Sequence, residues 1–283
     1  MTQEEFKVLE TIFLILIGTF VVLALPGYAL MRQRRLKNEL KSGEEAAPSV
    51  IQPLDLLVVG FYILVFAGLM KGAEMKVEDT SEMELSASKI MAGSSMWLML
   101  AGLVPAVIFW RGKVGEFFGL RWRHWPHIFW IMPAFVFSMI FIAYGLGALG
   151  WQDWVKEQFA SKPQAAVQLV RETQDIALLV ALAIGAVLIA PIAEEVIFRG
   201  YLYPVVEKYT DRWFAAGFTG ILFGVIHANL MSLPVLCVIG IVLAVLYERT
   251  KSLWVVIGCH AAFNGFQVGL MLLLRILPAP PAS

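Results

Sequence analysis

An all-α polytopic membrane bundle of about eight transmembrane helices is the fold this sequence predicts, on three observations. The 283 residues are 59% hydrophobic and only 16% charged, against about 45–50% and about 25% in a soluble domain. The apolar residues come in runs close to the roughly 20 that a spanning helix needs. Polar, charged connectors separate those runs.

Eight runs qualify: Thr11–Met31, Leu54–Met70, Ile90–Trp110, Ile128–Gly150, Ile176–Gly200, Trp213–Leu230, Leu233–Tyr247 and Leu253–Leu277. The seventh is short and is expected to tilt or to thin the bilayer locally. The first is read as a retained helix. Its flank carries Glu4 and Glu5 beside Lys7, and its apolar stretch exceeds the usual signal-peptide core. Among the connectors, Arg32–Pro53 is charged, Lys71–Lys89 is acidic and polar, and Arg111–His127 is basic and aromatic. Trp151–Asp175 has the Trp and Phe anchors of an amphipathic helix at the interface. Two units follow: residues 1–127, with N-terminal helices and long connectors, and residues 128–283, a helical core. No internal repeat or low-complexity tract is visible.

Charge narrows the function. Twenty-two basic and 22 acidic residues cancel, which removes the basic surface that nucleic acid requires. Cys237 and Cys259 lie in apolar runs and read as small buried hydrophobes. Asp55 opens the second helix and reads as interfacial. His124 and His127, in a Trp-rich connector, read as headgroup contacts. With the N-terminus outside, fourteen of the 22 Lys and Arg fall on cytoplasmic connectors. The positive-inside bias therefore puts both termini on the non-cytoplasmic side and the connector after the fifth helix in the cytoplasm.

Ionisable residues inside membrane helices cost about 2.5–3.5 kcal/mol each at the helix centre and need a partner or a purpose. Here they cluster in the C-terminal half. The fifth helix carries Glu194, Glu195 and Arg199, the sixth Phe223 and His227, the eighth His260 and Asn264. Residues four apart share a helix face, so Glu195 can pair with Arg199, and His260 lies above Asn264. Glu194 is turned about 100° from Glu195, which leaves it able to hold a water or a proton. Thr210–Asp211 is the expected turn, and Glu194 and His227 lie 16 residues on either side of it. Two helical legs would bring them to one depth, where a carboxylate and an imidazole can polarise a water. Pro191, one turn before the glutamates, is expected to bend the helix and free a carbonyl. Each residue alone has an ordinary reading: an ion pair or a snorkelling Arg199, a packing histidine at 227 or 260. Three neighbouring helices bringing such groups together favours a shared site.

The elements Glu194-Glu195-x-x-x-Arg199, Phe223-x-x-x-His227 and His260-x-x-x-Asn264 resemble, in order and spacing, the CPBP family of intramembrane proteases. That group includes the type II CAAX prenyl endopeptidases and bacteriocin-processing proteins. The resemblance covers roughly residues 175–275. It implies an eight-helix bundle with a cavity open to the cytosol, and a membrane-bound peptide or protein substrate, in some members lipidated. It implies Glu194 as the base that activates water, His227 as its partner, and His260 with Asn264 as stabilisers of the oxyanion. Glu195, Arg199 and Phe223 would support the site or touch substrate. Glutamate-activated water is the expected chemistry. A divalent metal such as zinc, held by Glu194, His227 and His260, is the alternative, although the His-Glu-x-x-His pattern of zinc proteases is absent.

Two other functions compete. Intramembrane Glu, His and Arg also build the relays of proton-coupled transporters, but those tend to repeat their broken helices in both halves, and this chain does not. A non-catalytic scaffold or immunity protein on the same fold is the other, against which the intact motif set argues. The sequence also lacks the Gly-x-Ser-Gly and Gly-x-Gly-Asp motifs of serine and aspartyl intramembrane proteases; Gly93-Ser94-Ser95 is the nearest approach.

Overall fold

The computed structural model describes residues 2–31, 50–78, 86–112, 114–120, 125–159 and 165–276. The helices are α1 (Gln3–Met31), α2 (Asp55–Glu78), α3 (Ala87–Phe109), α4 (Val114–Phe117), α5 (Ile128–Ala148), α6 (Trp151–Phe159), α7 (Ala165–Glu172), α8 (Ile176–Tyr209), α9 (Arg212–Ile226), α10 (Leu233–Thr250) and α11 (Leu253–Ile276). No strand occurs among the described residues. His124, Lys113, Arg121, Arg123 and the charged positions 32–49 lie outside them.

Among the described residues, seven helices are long and apolar enough to cross a membrane: α1, α2, α3, α5, α8, α10 and α11. Large apolar side chains stand exposed on their outer faces, among them Val22, Leu64, Met99, Phe141 and Leu274. Such a surface suits lipid and not water, so the protein is an integral, multi-pass membrane protein. The described residues bear out an all-α membrane bundle of about the expected size: seven such helices and, at the sixth expected segment, a shorter apolar one. The run Trp213–Leu230 forms α9, which has 15 residues and reaches only about 22 Å, short of a core about 30 Å thick. The run expected to be short becomes α10, with 18 residues.

No Gly or Pro lies between His227 and Ser232 to announce where α9 stops. Ala228 stops it by turning left-handed, at φ 48°, a conformation costing an L-residue roughly 1–2 kcal/mol. Two contacts hold that turn. Asn229 Oδ1 accepts the Ser232 N–H at 2.9 Å, and the Trp151 indole of α6 donates to the Leu230 carbonyl at 3.2 Å. The described residues of the Trp151–Asp175 connector include the helices α6 and α7, and α6 meets the tip of the α9–α10 hairpin through Trp151. At the other end of α9, Asp211 caps the helix by accepting from Trp213 N at 2.7 Å and Phe214 N at 3.1 Å.

Small residues let α9 and α10 meet backbone to backbone, as they commonly do between membrane helices. A Cβ on Gly240 would lie 2.7 Å from Gly220 Cα, and one on Gly224 would lie 2.5 Å from Cys237 Sγ. On the far side of α8, Phe66 of α2 stacks on Phe198, with ring centroids 5.5 Å apart.

The segment after α3 wedges between α8 and the start of α11. The Phe118 ring covers Gly200, where a Cβ would lie 2.8 Å away, and the Phe118 carbonyl accepts the Leu253 N–H at 3.0 Å. Gly119, at φ 61°, lies against the Lys251 carbonyl, and any Cβ there would overlap it. Asp55 departs from its interfacial expectation. It is fully buried, ion-paired to Arg111 at 2.7 Å, and accepts the hydroxyl of Tyr201. A buried carboxylate is tolerable because the guanidinium, the phenol and the Gln52 N–H all reach it.

Candidate active site

The site is built on α8, which is 34 residues long and departs from α-geometry twice. Asp175 starts it by accepting from Ala177 N at 2.8 Å and Leu178 N at 3.3 Å. The stretches Gly185–Ile189 and Phe198–Leu202 are π-helical. Such widened turns recur at functional sites because they re-aim side chains at the cost of ordinary helix bonding. Between them lies the α-helical stretch Ala190–Ile197, with Pro191 in its first turn and Glu194 and Glu195 after it.

Glu195, Arg199 and His260 form a buried chain. Arg199 Nη1 donates to Glu195 Oε1 at 2.8 Å, and Arg199 Nη2 donates to the Gly240 carbonyl at 2.8 Å. Gly240 is a residue at which α10 closely meets Gly220 of α9, and its carbonyl lies within reach of α8. Glu195 and Arg199 have no exposure at all, so Arg199 does not snorkel. Its guanidinium also lies over the Phe223 ring, with Cζ 4.9 Å from the centroid, a cation–π contact strengthened by the absence of water. The same Glu195 oxygen accepts from His260 Nδ1 at 2.8 Å.

His227 ends α9. Its Nδ1 lies 2.6 Å from the Phe223 carbonyl. A carbonyl only accepts, so Nδ1 carries the proton. His260 is in the same position, with its Nδ1–H given to the Glu195 carboxylate. Both rings therefore present Nε2 to one point, and Glu194 is there. Its Oε2 lies 4.0 Å from His227 Nε2 and 3.8 Å from His260 Nε2. The α8–α9 hairpin does set Glu194 and His227 face to face. Phe223 packs between the rings, 4.7 Å from His227 and 5.7 Å from His260 by centroid. Of the three polar groups, His227 is the most open, with 23% of its side chain exposed.

Those separations bear on what the site can hold. Tetrahedral zinc with bonds near 2.0–2.1 Å sets its ligand atoms about 3.3 Å apart. The Glu194 and imidazole atoms stand wider, and among the described residues no group of three or more His, Cys, Asp or Glu side chains has metal-site spacing. A water can bridge such a gap, through two hydrogen bonds of about 2.8 Å meeting at one oxygen.

Asn264 is placed otherwise than its neighbours. It lies one turn beyond His260, and its Nδ2 donates to the Ala186 carbonyl of the first π-stretch at 2.8 Å. Spacing motifs missed Gly240, Tyr201, Asp55 and Trp151. Asp55 and Trp151 stood out in the sequence only as interfacial residues, and Gly240 only as one of several glycines on two neighbouring apolar helices.

Comparison with known proteins supports the CAAX/CPBP family for this segment. Residues 176–266 match the family model of the type II CAAX prenyl endopeptidase Rce1-like proteins. The chain is also 36% identical over 85 residues to the candidate membrane peptidase YdiL of Bacillus subtilis (strain 168). That alignment covers 30% of this chain and 35% of the relative. No solved structure matches. All seven residues from Glu194 to Asn264 singled out by spacing fall inside the matched segment, and the helices before α8 fall outside it.

Proposed function

We propose that this protein, whose segment 176–266 is of the CAAX/CPBP type, is an intramembrane endopeptidase that cleaves a peptide or protein by glutamate- and histidine-activated water. One observation carries the reading: Glu194 Oε2 and the Nε2 atoms of His227 and His260 converge, each ring held from behind through Nδ1.

A water at that point gives one hydrogen to Glu194 and the other to His227 Nε2. Glu194 takes the proton as the water oxygen attacks the scissile carbonyl carbon. The electron pair of the C=O bond moves to oxygen, and His260, in its doubly protonated form, donates Nε2–H to that oxyanion. Collapse breaks the C–N bond, and Glu194 returns its proton to the leaving amine. The products are a carboxylic acid and an amine, with one water consumed. Glu195 and Arg199 hold His260 and do not themselves react. No step is routed through a metal.

The orientation expected from the charge bias would put the Tyr209–Arg212 turn on the cytoplasmic side. His260 lies seven residues from the start of α11, about 10 Å below that end at 1.5 Å per residue. A substrate arriving from the cytoplasmic leaflet, whether or not lipidated, would reach it by the shorter route.

The deciding experiment compares peptide termini in membranes of cells carrying wild-type protein or Glu194→Gln at matched folded abundance. Termini that appear only with the wild type are expected, and with an identified substrate kcat should drop by roughly 10²–10⁴-fold. Chelation should leave the wild-type rate intact. A terminome indifferent to Glu194, or substrate-driven proton flux in proteoliposomes that is lost with Glu194→Gln, would sink the peptidase reading in favour of transport.

A further inference from the structure

In the first π-stretch of α8 the Ala190 N–H bonds the Gly185 carbonyl, five residues back. The next bond in that register would run from residue 191 to the Ala186 carbonyl. Residue 191 is proline and has no N–H. A carbonyl deprived of its donor inside a membrane protein costs free energy unless another donor arrives. The donor that arrives is Asn264 Nδ2 of α11, at 2.8 Å. The chain positions are 78 residues apart, so this is a tertiary replacement for a missing helix bond.

The neighbourhood is shaped for it. Gly265, beside Asn264, lets α11 approach until a Cβ there would touch Val187 at 3.5 Å. From the opposite side, Ser94 of α3 lies 3.0 Å from where a Gly185 Cβ would be. The π-stretch is thus held between α3 and α11, and Asn264 is its polar attachment to α11. Three residues beyond Pro191 stands Glu194, and one turn before Asn264 stands His260. The Pro191–Ala186–Asn264 link therefore sets the rotation and depth of the carboxylate on α8 against those of the imidazole on α11.

We propose that Asn264 is a positioning residue: it supplies the hydrogen bond that Pro191 deletes from α8 and thereby fixes Glu194 relative to His260. This is a different role from the oxyanion donor that the family resemblance implies, and it rests on the peptidase reading only for its activity readout. The two roles separate in one double-mutant cycle, because restoring an N–H at position 191 removes the need for the Asn264 donor but cannot replace an oxyanion contact.

Full-length wild type, Asn264→Ala, Pro191→Ala and the double variant would be purified in detergent. Melting temperature is read on all four, and kcat and KM on a substrate whose cleavage depends on Glu194. Asn264→Ala in the wild-type background should lower kcat by roughly 10- to 100-fold, the scale of a small misplacement, with KM little changed, and should lower the melting temperature. In the Pro191→Ala background the same change should cost less than about threefold in kcat (about 0.65 kcal/mol at RT ≈ 0.59 kcal/mol) and almost nothing in melting temperature. Should Asn264→Ala fail to accumulate folded, recovery of folded yield in the double variant is the same result. Equal losses in both backgrounds, or no loss in either, would overturn the proposal. Because the melting cycle needs no activity, it tests the link even if Glu194→Gln shows the peptidase reading to be wrong.

Discussion

At the residue scale, the buried chain Gly240–Arg199–Glu195–His260 converts charges that ought to be costly into alignment. Removing one partner of a buried ion pair leaves the other charge without compensation, at about 3–5 kcal/mol. Arg199→Met is expected to lose that much stability, read by denaturation in detergent. Arg199→Lys should lose about 1–3 kcal/mol, because a single ammonium cannot serve both Glu195 and the Gly240 carbonyl as the planar guanidinium does. Equal stability of Arg199→Lys and wild type would show that the second donor is idle. With Arg199→Lys the activity should fall further than the stability, since His260 is oriented through the same Glu195 oxygen.

At the element scale, the tight turn between α8 and α9 is held by Asp211, which caps α9 and accepts the Tyr28 hydroxyl at the end of α1. That hydroxyl chiefly holds the Asp211 carboxyl below the ordinary carboxylate range. Partial burial opposes it, and the Phe214 and Trp213 N–H groups and Arg212 add to it. A carboxyl with a depressed folded-state pKa contributes stability above its unfolded pKa and loses it as pH falls through the folded one. Asp211→Asn keeps much of the cap but not the charge. The melting-temperature gap between wild type and Asp211→Asn should therefore be widest near neutral pH and close as the pH falls below the ordinary carboxylate range. A gap independent of pH would show that the ionised form contributes nothing.

At the scale of the whole molecule, the helices outside the matched segment are fastened to the site. Asp55 and Arg111 hold Tyr201, two residues after Arg199 and inside the second π-stretch. Phe118 touches Gly200 and caps α11, the helix that bears His260. Asp55→Ala should cost about 3–5 kcal/mol by stranding Arg111, measured by denaturation. Tyr201→Phe, which removes only the hydroxyl, should cost about 1–3 kcal/mol. Residues 128–283 made without residues 1–127 are expected not to accumulate as folded protein, because α3 and the Phe118 wedge would be missing from α8. A stable, monodisperse 128–283 fragment would refute that.

The membrane character, the long helices and the gathering of Glu194, Glu195, Arg199, His227 and His260 were legible in the sequence. Hydropathy and i,i+4 spacing are local properties, and a charged residue in an apolar run stands out because hydrocarbon cannot solvate it. The Thr210–Asp211 turn was legible for a related reason, since a helix-capping aspartate interrupts two apolar runs. The tertiary structure decided the rest. It ended α9 after 15 residues, through a left-handed Ala228 that no Gly or Pro announces. It buried Asp55 against partners 56 and 146 positions away, and set Asn264 on the carbonyl that Pro191 leaves without a donor. The physical reason is the same in each case. A buried polar group must be satisfied by whatever the packing brings near, and which group that is depends on contacts between distant segments that no local pattern encodes.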